Sequence, residues 1–301
     1  MSRSAILIAM FFLGLPSSVF APEMRPAITG LYSVKIRASE MDKSRQFYGE
    51  RLKLPRAGNC LASPSDCFML GPFQRIEIIQ NSASSPSTIN TLAFSTGSAR
   101  TLRTYLLSRG LRPAKLISSD PCGMQEFFEI VDPDQHHLVF VTNSWGVAGS
   151  VQSAQLSDRM IHSGFVVRDR AAEEHFYKDI LGFRPYWRGG KEDDQTDWVS
   201  LQVPDGTDWV EFMVNVSPNA DHHTLGVMNH IALGVTDIHA AQQQLIKNRW
   251  NPTEEPKIGR GGKWQLNVYD PDGTRIEFME FKPVQKPCCS EYTGPHPGPQ
   301  Q

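Results

Sequence analysis

Apolar and β-branched residues alternate with polar or small ones in four short runs of the chain's second half, as in half-buried strands. The runs centre on His162, Glu211, His230 and Glu277. Between them lie stretches of helical period. The pattern predicts a strand over 160–168, a helix over 170–181, and strands near 184–188, 198–203 and 208–215. The order then repeats: strand 229–235, helix 237–249, and strands near 256–258, 263–269 and 274–281. Helix 237–249 carries Ile238, Ala241, Leu245 and Ile246 on one stripe. Asp169 and Asp237 stand where helix N-caps are expected.

The first half shows the same order, so residues 29–143 and 160–282 read as two modules joined by a linker over 144–158. Gln46-Phe47-Tyr48 echoes His175-Phe176-Tyr177, and Asp132-Pro133-Asp134 echoes Asp270-Pro271-Asp272. The period of about 130 residues is that of duplicated domains, not of a solenoid.

Side chains alternate between the faces of a strand. Ile161, Phe165 and Val167 should therefore share one face and His162 the other; likewise Ile231, Leu233 and Val235 oppose His230. Glu211 and Glu277 are each flanked by apolar neighbours. All four polar residues thus oppose a face that packs on helices. The small Gly164 and Gly234 are expected to leave room there for an ion and a substrate. Two imidazoles with one or two carboxylates suit Fe, Mn, Zn or Ni. In ungapped alignment the first module has Ser33, Glu77, Thr91 and Val139 at these positions, so it lacks three of the four ligand types. Lys35 and Arg37 are expected to neutralise Glu77 there.

The His162, Glu211, His230, Glu277 order and its strand context resemble the vicinal oxygen chelate superfamily, which includes glyoxalase I, methylmalonyl-CoA epimerase, extradiol dioxygenases and bleomycin-resistance proteins. The resemblance implies an α+β fold of four βαβββ units, forming two modules with curled mixed sheets. It also implies one divalent metal on His162, Glu211, His230 and Glu277. Glu211 and Glu277 become the catalytic candidates; Trp209, Arg275 and Tyr269 are candidates for the substrate pocket. The activity implied first is glyoxalase-like lyase or isomerase chemistry, in which the metal stabilises an enediolate of a small carbonyl substrate. Extradiol ring cleavage is the second reading, against which Asn267-Val268-Tyr269 offers no histidine. A non-catalytic binding or resistance protein is the third.

The remaining features narrow the setting. The 301 residues carry a formal charge of -2 and no basic stripe, which excludes nucleic acid as a natural partner. A small-molecule substrate is expected, in a monomer of two modules or a homodimer. Arg3, the apolar run Ala5–Leu15 and Val19-Phe20-Ala21 read as a signal peptide over 1–21. This implies export to a bacterial periplasm or the exterior, with no stable membrane insertion once the signal is removed. Export permits disulfides among Cys60, Cys67, Cys122, Cys288 and Cys289; Cys60 with Cys67 and the vicinal Cys288-Cys289 are the candidate pairs. Residues 283–301, rich in Pro and Gly, read as a disordered tail, and Gly259-Arg260-Gly261-Gly262 as a flexible exposed loop. His222-His223 fall in a solvated loop and His137 at the surface. Arg188, Arg260 and Lys263 are candidates for contact with an anionic substrate.

Overall fold

A computed structural model of the chain describes residues 24–57, 65–81, 89–118, 126–142, 155–251 and 253–299. The signal-peptide segment, Cys60, Cys122 and most of the linker lie outside the described residues.

Strands β1 (Ile28–Ala38), β2 (Arg56–Ala57), β3 (Ser65–Met69), β4 (Arg75–Gln80), β5 (Ile89–Thr96), β6 (Ile117–Ser118), β7 (Glu126–Val131) and β8 (His137–Thr142) form one mixed sheet, in the order β2-β3-β4-β1-β5-β8-β7-β6. Strands β9 (Arg159–Val166), β10 (Arg184–Gly189), β11 (Trp198–Gln202), β12 (Trp209–Met213), β13 (His230–Val235), β14 (Lys257–Ile258), β15 (Trp264–Tyr269) and β16 (Arg275–Glu280) form a second, in the equivalent order β10-β11-β12-β9-β13-β16-β15-β14. Helices are few: α1 (Met41–Arg45), α2 (Ala99–Ser108), α3 (Arg170–Glu174), α4 (His222–Met228) and α5 (Ile238–Lys247). The architecture is α+β, as the resemblance implied.

Local chemistry accounts for the helix starts. The Asp169 carboxylate accepts from the Ala172 amide, and Asp237 accepts from the amides of His239 and Ala240. These bonds satisfy donors that the first turn leaves free. Helices α1 and α3 each widen into a π-helical turn, Gln46–Arg51 and His175–Ile180, which buries the consecutive ring pairs Phe47-Tyr48 and Phe176-Tyr177. Ile246, expected on the buried stripe of α5, is exposed; Trp250 just beyond the helix packs inward instead. His222 and His223 do not lie in a loop but open α4, with Asp221 as its N-cap.

One apolar cluster runs through both modules. Phe47 meets Trp250 and Phe94 meets Phe183 edge to face. Tyr48 donates to Asp270 across the boundary (2.9 Å), and Tyr177 donates to Asp132 in the reciprocal direction (3.3 Å). The turns that repeat in sequence therefore bind each other's helices.

The tail departs from expectation. Residues 283–299 are not disordered: they lie across the second sheet and close one side of its concave face. The Cys288 amide donates to Arg260 O, Thr293 N to Tyr186 O, and the Tyr292 hydroxyl to Gly261 O. The bonds to Arg260 and Gly261 also pin Gly259–Gly262, which is a tethered turn and not a free loop. Tyr292 also packs on Tyr186 and Trp187. Aromatic burial anchors this segment despite its Pro and Gly content. Cys288 and Cys289 are joined as a disulfide, while Cys67 is buried on β3.

Candidate metal centre

Central strands of the second sheet carry the four polar residues singled out above. β9 runs between β12 and β13, and β16 follows β13; Trp209 pairs with His162, Ala232 with both His162 and Glu277. Neighbouring positions of a curled sheet thereby converge on its concave side. The alternation that predicted this is reset once. Between Met160 and His162 the pairing with β13 shifts by one residue, leaving Ile161 as a bulge. Ile161 therefore joins Trp209 and Phe281 on the concave side, not Phe165 in the core. The first sheet has the same shift at Tyr32.

The structure brings all four predicted ligands together. The donor atoms of His162, Glu211 and His230 lie within 4.8 Å of one another. The two imidazole Nε2 atoms are 3.0 Å apart. Glu277 Oε2 is 3.5 Å from His162 Nε2 and 3.7 Å from His230 Nε2, and Glu211 Oε2 is 3.6 Å from His230 Nε2. Separations of this size would let the four side chains hold one ion at bonds of about 2.1 Å. His230 Nδ1 donates to Met228 O (3.0 Å), which leaves the Nε2 lone pair facing the cluster. Ser200 donates to Glu211 Oε1 (3.2 Å) from the paired position on β11. Trp209 packs over the His162 ring at 4.7 Å.

Electrostatics agree with a cation site. Burial, with the Arg275 and His162 charges, holds the His230 pKa well below that of a free imidazole, so the ring is a neutral ligand. Burial also opposes ionisation of Glu277, but the His162 hydrogen bond and the nearby Arg275 charge outweigh it and pull the pKa to about 2. Glu211 moves the other way: burial raises it above the ordinary carboxylate range. Two carboxylates and two imidazole nitrogens in a dry cluster repel one another unless a cation sits among them. The donor set fits a divalent metal.

Room for this cluster arises differently from the sequence expectation. A Cβ on Gly164 would stand 2.0 Å from His230 Cε1, and one on Gly234 would stand 2.2 Å from Phe281 Cε1. The space beside the histidines holds side chains of the protein, not an ion or a substrate. The open space is instead a cavity of about 700 Å³ above the cluster. Trp209 and Arg275 line it as expected, together with Glu211, Glu277, Lys263 and Tyr292. Tyr269 does not; its hydroxyl donates to Glu254 (2.6 Å) outside the cavity. Arg188 is exposed, and Arg260 at the rim is engaged by Asp193 and Gly190 O. Ser200 and Tyr292 carried no signal: one depends on hairpin register, the other on where the tail lands.

In the first module the equivalent space is filled. Arg75, the counterpart of Trp209, donates to Glu77 (2.9 Å) and to the Tyr32 hydroxyl (2.9 Å), and its guanidinium lies 4.6 Å over the Tyr32 ring. Lys35 stands 3.8 Å from Glu77. Arg75, not Arg37, is thus the main counter-charge to Glu77. His137 is exposed at the start of β8.

Residues 159–278 match the Glyoxalase/Bleomycin resistance protein/Dioxygenase superfamily. A lactoylglutathione lyase of Haemophilus influenzae is 30% identical over 126 residues, which is 41% of this chain and 93% of that protein. The chain belongs to this superfamily. A probable chloroplastic lactoylglutathione lyase of Arabidopsis thaliana is 25% identical over 165 residues, 49% of the chain and 46% of the relative. Among solved structures, homoprotocatechuate 2,3-dioxygenase from B. fuscum superposes with a TM-score of 0.68 at 17% identity, covering 93% of this chain and 76% of the other. A 2,3-dioxygenase from Pseudomonas sp. KL28 gives 0.67 at 16% identity, covering 92% and 96%. At such identities the likeness establishes the shared two-module fold and nothing about the reaction.

Proposed function

We propose that the protein is a metal-dependent lyase or isomerase acting on a small carbonyl compound, with His162, Glu211, His230 and Glu277 as ligands of one divalent ion. The observation that carries this is the second carboxylate: Glu211 reaches the same cluster as Glu277 and the two imidazoles. A ring-cleaving site needs two histidines and one carboxylate; proton transfer next to a carbonyl uses a carboxylate beyond that set.

When bound, the ion polarises the substrate carbonyl and stabilises the negative charge that develops on its oxygens. Glu277, ionised and buried, holds its charge throughout. Glu211 is the more accessible carboxylate, its side chain 13% exposed against 5% for Glu277, and its affinity for a proton is raised by burial. It takes the proton from the carbon beside the carbonyl and returns it to the neighbouring carbon. Ser200 orients it, and Trp209 with the tail excludes water from the transfer. The leader pattern and the Cys288–Cys289 disulfide favour an oxidising compartment outside the cytoplasm.

The test begins with elemental analysis, which should return about one equivalent of Fe, Mn, Zn or Ni per chain. Glu211→Gln keeps a ligating oxygen and should keep the metal while losing proton exchange beside a substrate carbonyl by about 10²–10⁴-fold. Oxygen uptake with a panel of catechols, equal in wild type and Glu211→Gln, would replace this reading with ring cleavage. A protein that takes up no metal after reconstitution would instead be a binding module.

A further inference from the structure

Two cations lining the cavity above the cluster each have a buried nitrogen without a hydrogen bond among the described residues. Lys263, just before β15, is 1% exposed, and its Nζ has no hydrogen bond among the described residues. Aromatic rings surround it: Trp209 at 4.7 Å, Tyr292 at 5.1 Å and Tyr186 at 5.8 Å. Arg275 opens β16 at the other end of the β15–β16 pair, and its Nε is likewise buried without a hydrogen bond. Glu277 lies between the two ends. The other cations of the cavity lining are paired: Arg260 with Asp193, Lys257 with Glu254 and Lys286 with Glu291.

Charge counting makes these two cations informative. In the metal-loaded site the ionised Glu211 and Glu277 cancel a divalent ion, because the imidazoles are neutral ligands. Lys263, when protonated, and Arg275 then add positive charge to the cavity wall. Aromatic faces attract an ammonium but supply no hydrogen-bond acceptor. A buried ammonium lacking an acceptor is unfavourable unless a ligand brings one.

We propose that Lys263 recognises a carboxylate on the substrate, so that the substrate class is a small carbonyl acid and not a neutral carbonyl compound. The inference rests on the metal-centre reading above. It places the metal-binding oxygens over the His/Glu cluster and the carboxylate at the Lys263 end, where the tail supplies Tyr292. The aromatic lining suits a flat or apolar body between the two.

The experiment uses the full-length, metal-loaded protein and follows tryptophan fluorescence during titration with benzoate and with benzamide at constant ionic strength. Benzoate should bind at least about ten-fold tighter, the increment expected of a charge-assisted hydrogen bond. Lys263→Met should bring the ratio close to one while metal content stays at the wild-type level. Lys263→Arg, which keeps the charge, should retain most of the preference. Equal binding of the two probes by wild type, or no detectable binding of benzoate, overturns the proposal, and this holds even if Lys263→Met fails to fold. An unchanged ratio in folded Lys263→Met also overturns it. Metal content of the same samples separates the claims: a protein without metal ends the metal-centre reading, whereas a metal-loaded protein blind to the carboxylate ends this one.

Discussion

His230 shows how much of the centre rests on single atoms. Its ring is oriented by Met228 O on one side and accommodated by the missing Cβ of Gly164 on the other. Replacing Gly164 with Ala would put a methyl 2.0 Å from Cε1, so the ring must rotate or the strands must part. Metal affinity should fall by about 10–100-fold, the usual effect of losing a ligand's support, with a stability loss of about 1–3 kcal/mol from overpacking. Competition with a chelator and thermal melts measure the two effects separately. His230→Ala should abolish stoichiometric metal, whereas substitution of its counterpart Thr91 should leave metal content unchanged. Equal losses at both positions would contradict the asymmetry between the modules.

At the scale of elements, α3 is held to the first module through a carboxylic acid. Glu173 is fully buried; its Oε1 accepts from the Asp134 amide (2.8 Å), and Oε2 has no hydrogen bond among the described residues. Burial, reinforced by the Asp132 charge, holds its pKa well above the ordinary carboxylate range. The folded state therefore keeps a proton that the unfolded chain releases. Its contribution is complete below the unfolded value of 4.5 and is lost as pH rises toward the raised folded value. Glu173→Gln keeps the acceptor and removes the ionisation. It should be the more stable form at about pH 8 and lose that advantage near about pH 4. Melting curves across this range that stay parallel for the two proteins would show that Glu173 is not titrating.

For the whole molecule, the continuous core makes two sequence modules one folding unit. Trp250, from the second module, packs on Phe47 of the first, and Arg51 and Asn248 exchange hydrogen bonds across the same boundary (3.1 and 2.7 Å). Trp250→Ala should cost about 3–5 kcal/mol and lower a single calorimetric transition. Two resolved transitions in wild type would mean that the modules unfold independently.

The chain by itself determined the elements and the donor types. Strand alternation put His162, His230, Glu211 and Glu277 opposite apolar faces, N-cap aspartates marked the helices, and the Asp-Pro-Asp turns marked the duplication. These are local signals with periods of two or 3.6 residues, so a linear pattern carries them. Tertiary structure decided what those patterns cannot encode. The bulge at Ile161 arises from pairing with β13, Arg75 fills the first module's equivalent of the cluster because Tyr32 and Glu77 converge on it, and Gly164 is reserved for a ring 66 residues further along. The tail, disordered by composition, is ordered by the aromatic surface of β10 that it covers, and in covering it leaves Lys263 buried with no acceptor. Each of these depends on which distant side chains meet, and that is settled only when the sheets curl and the core closes.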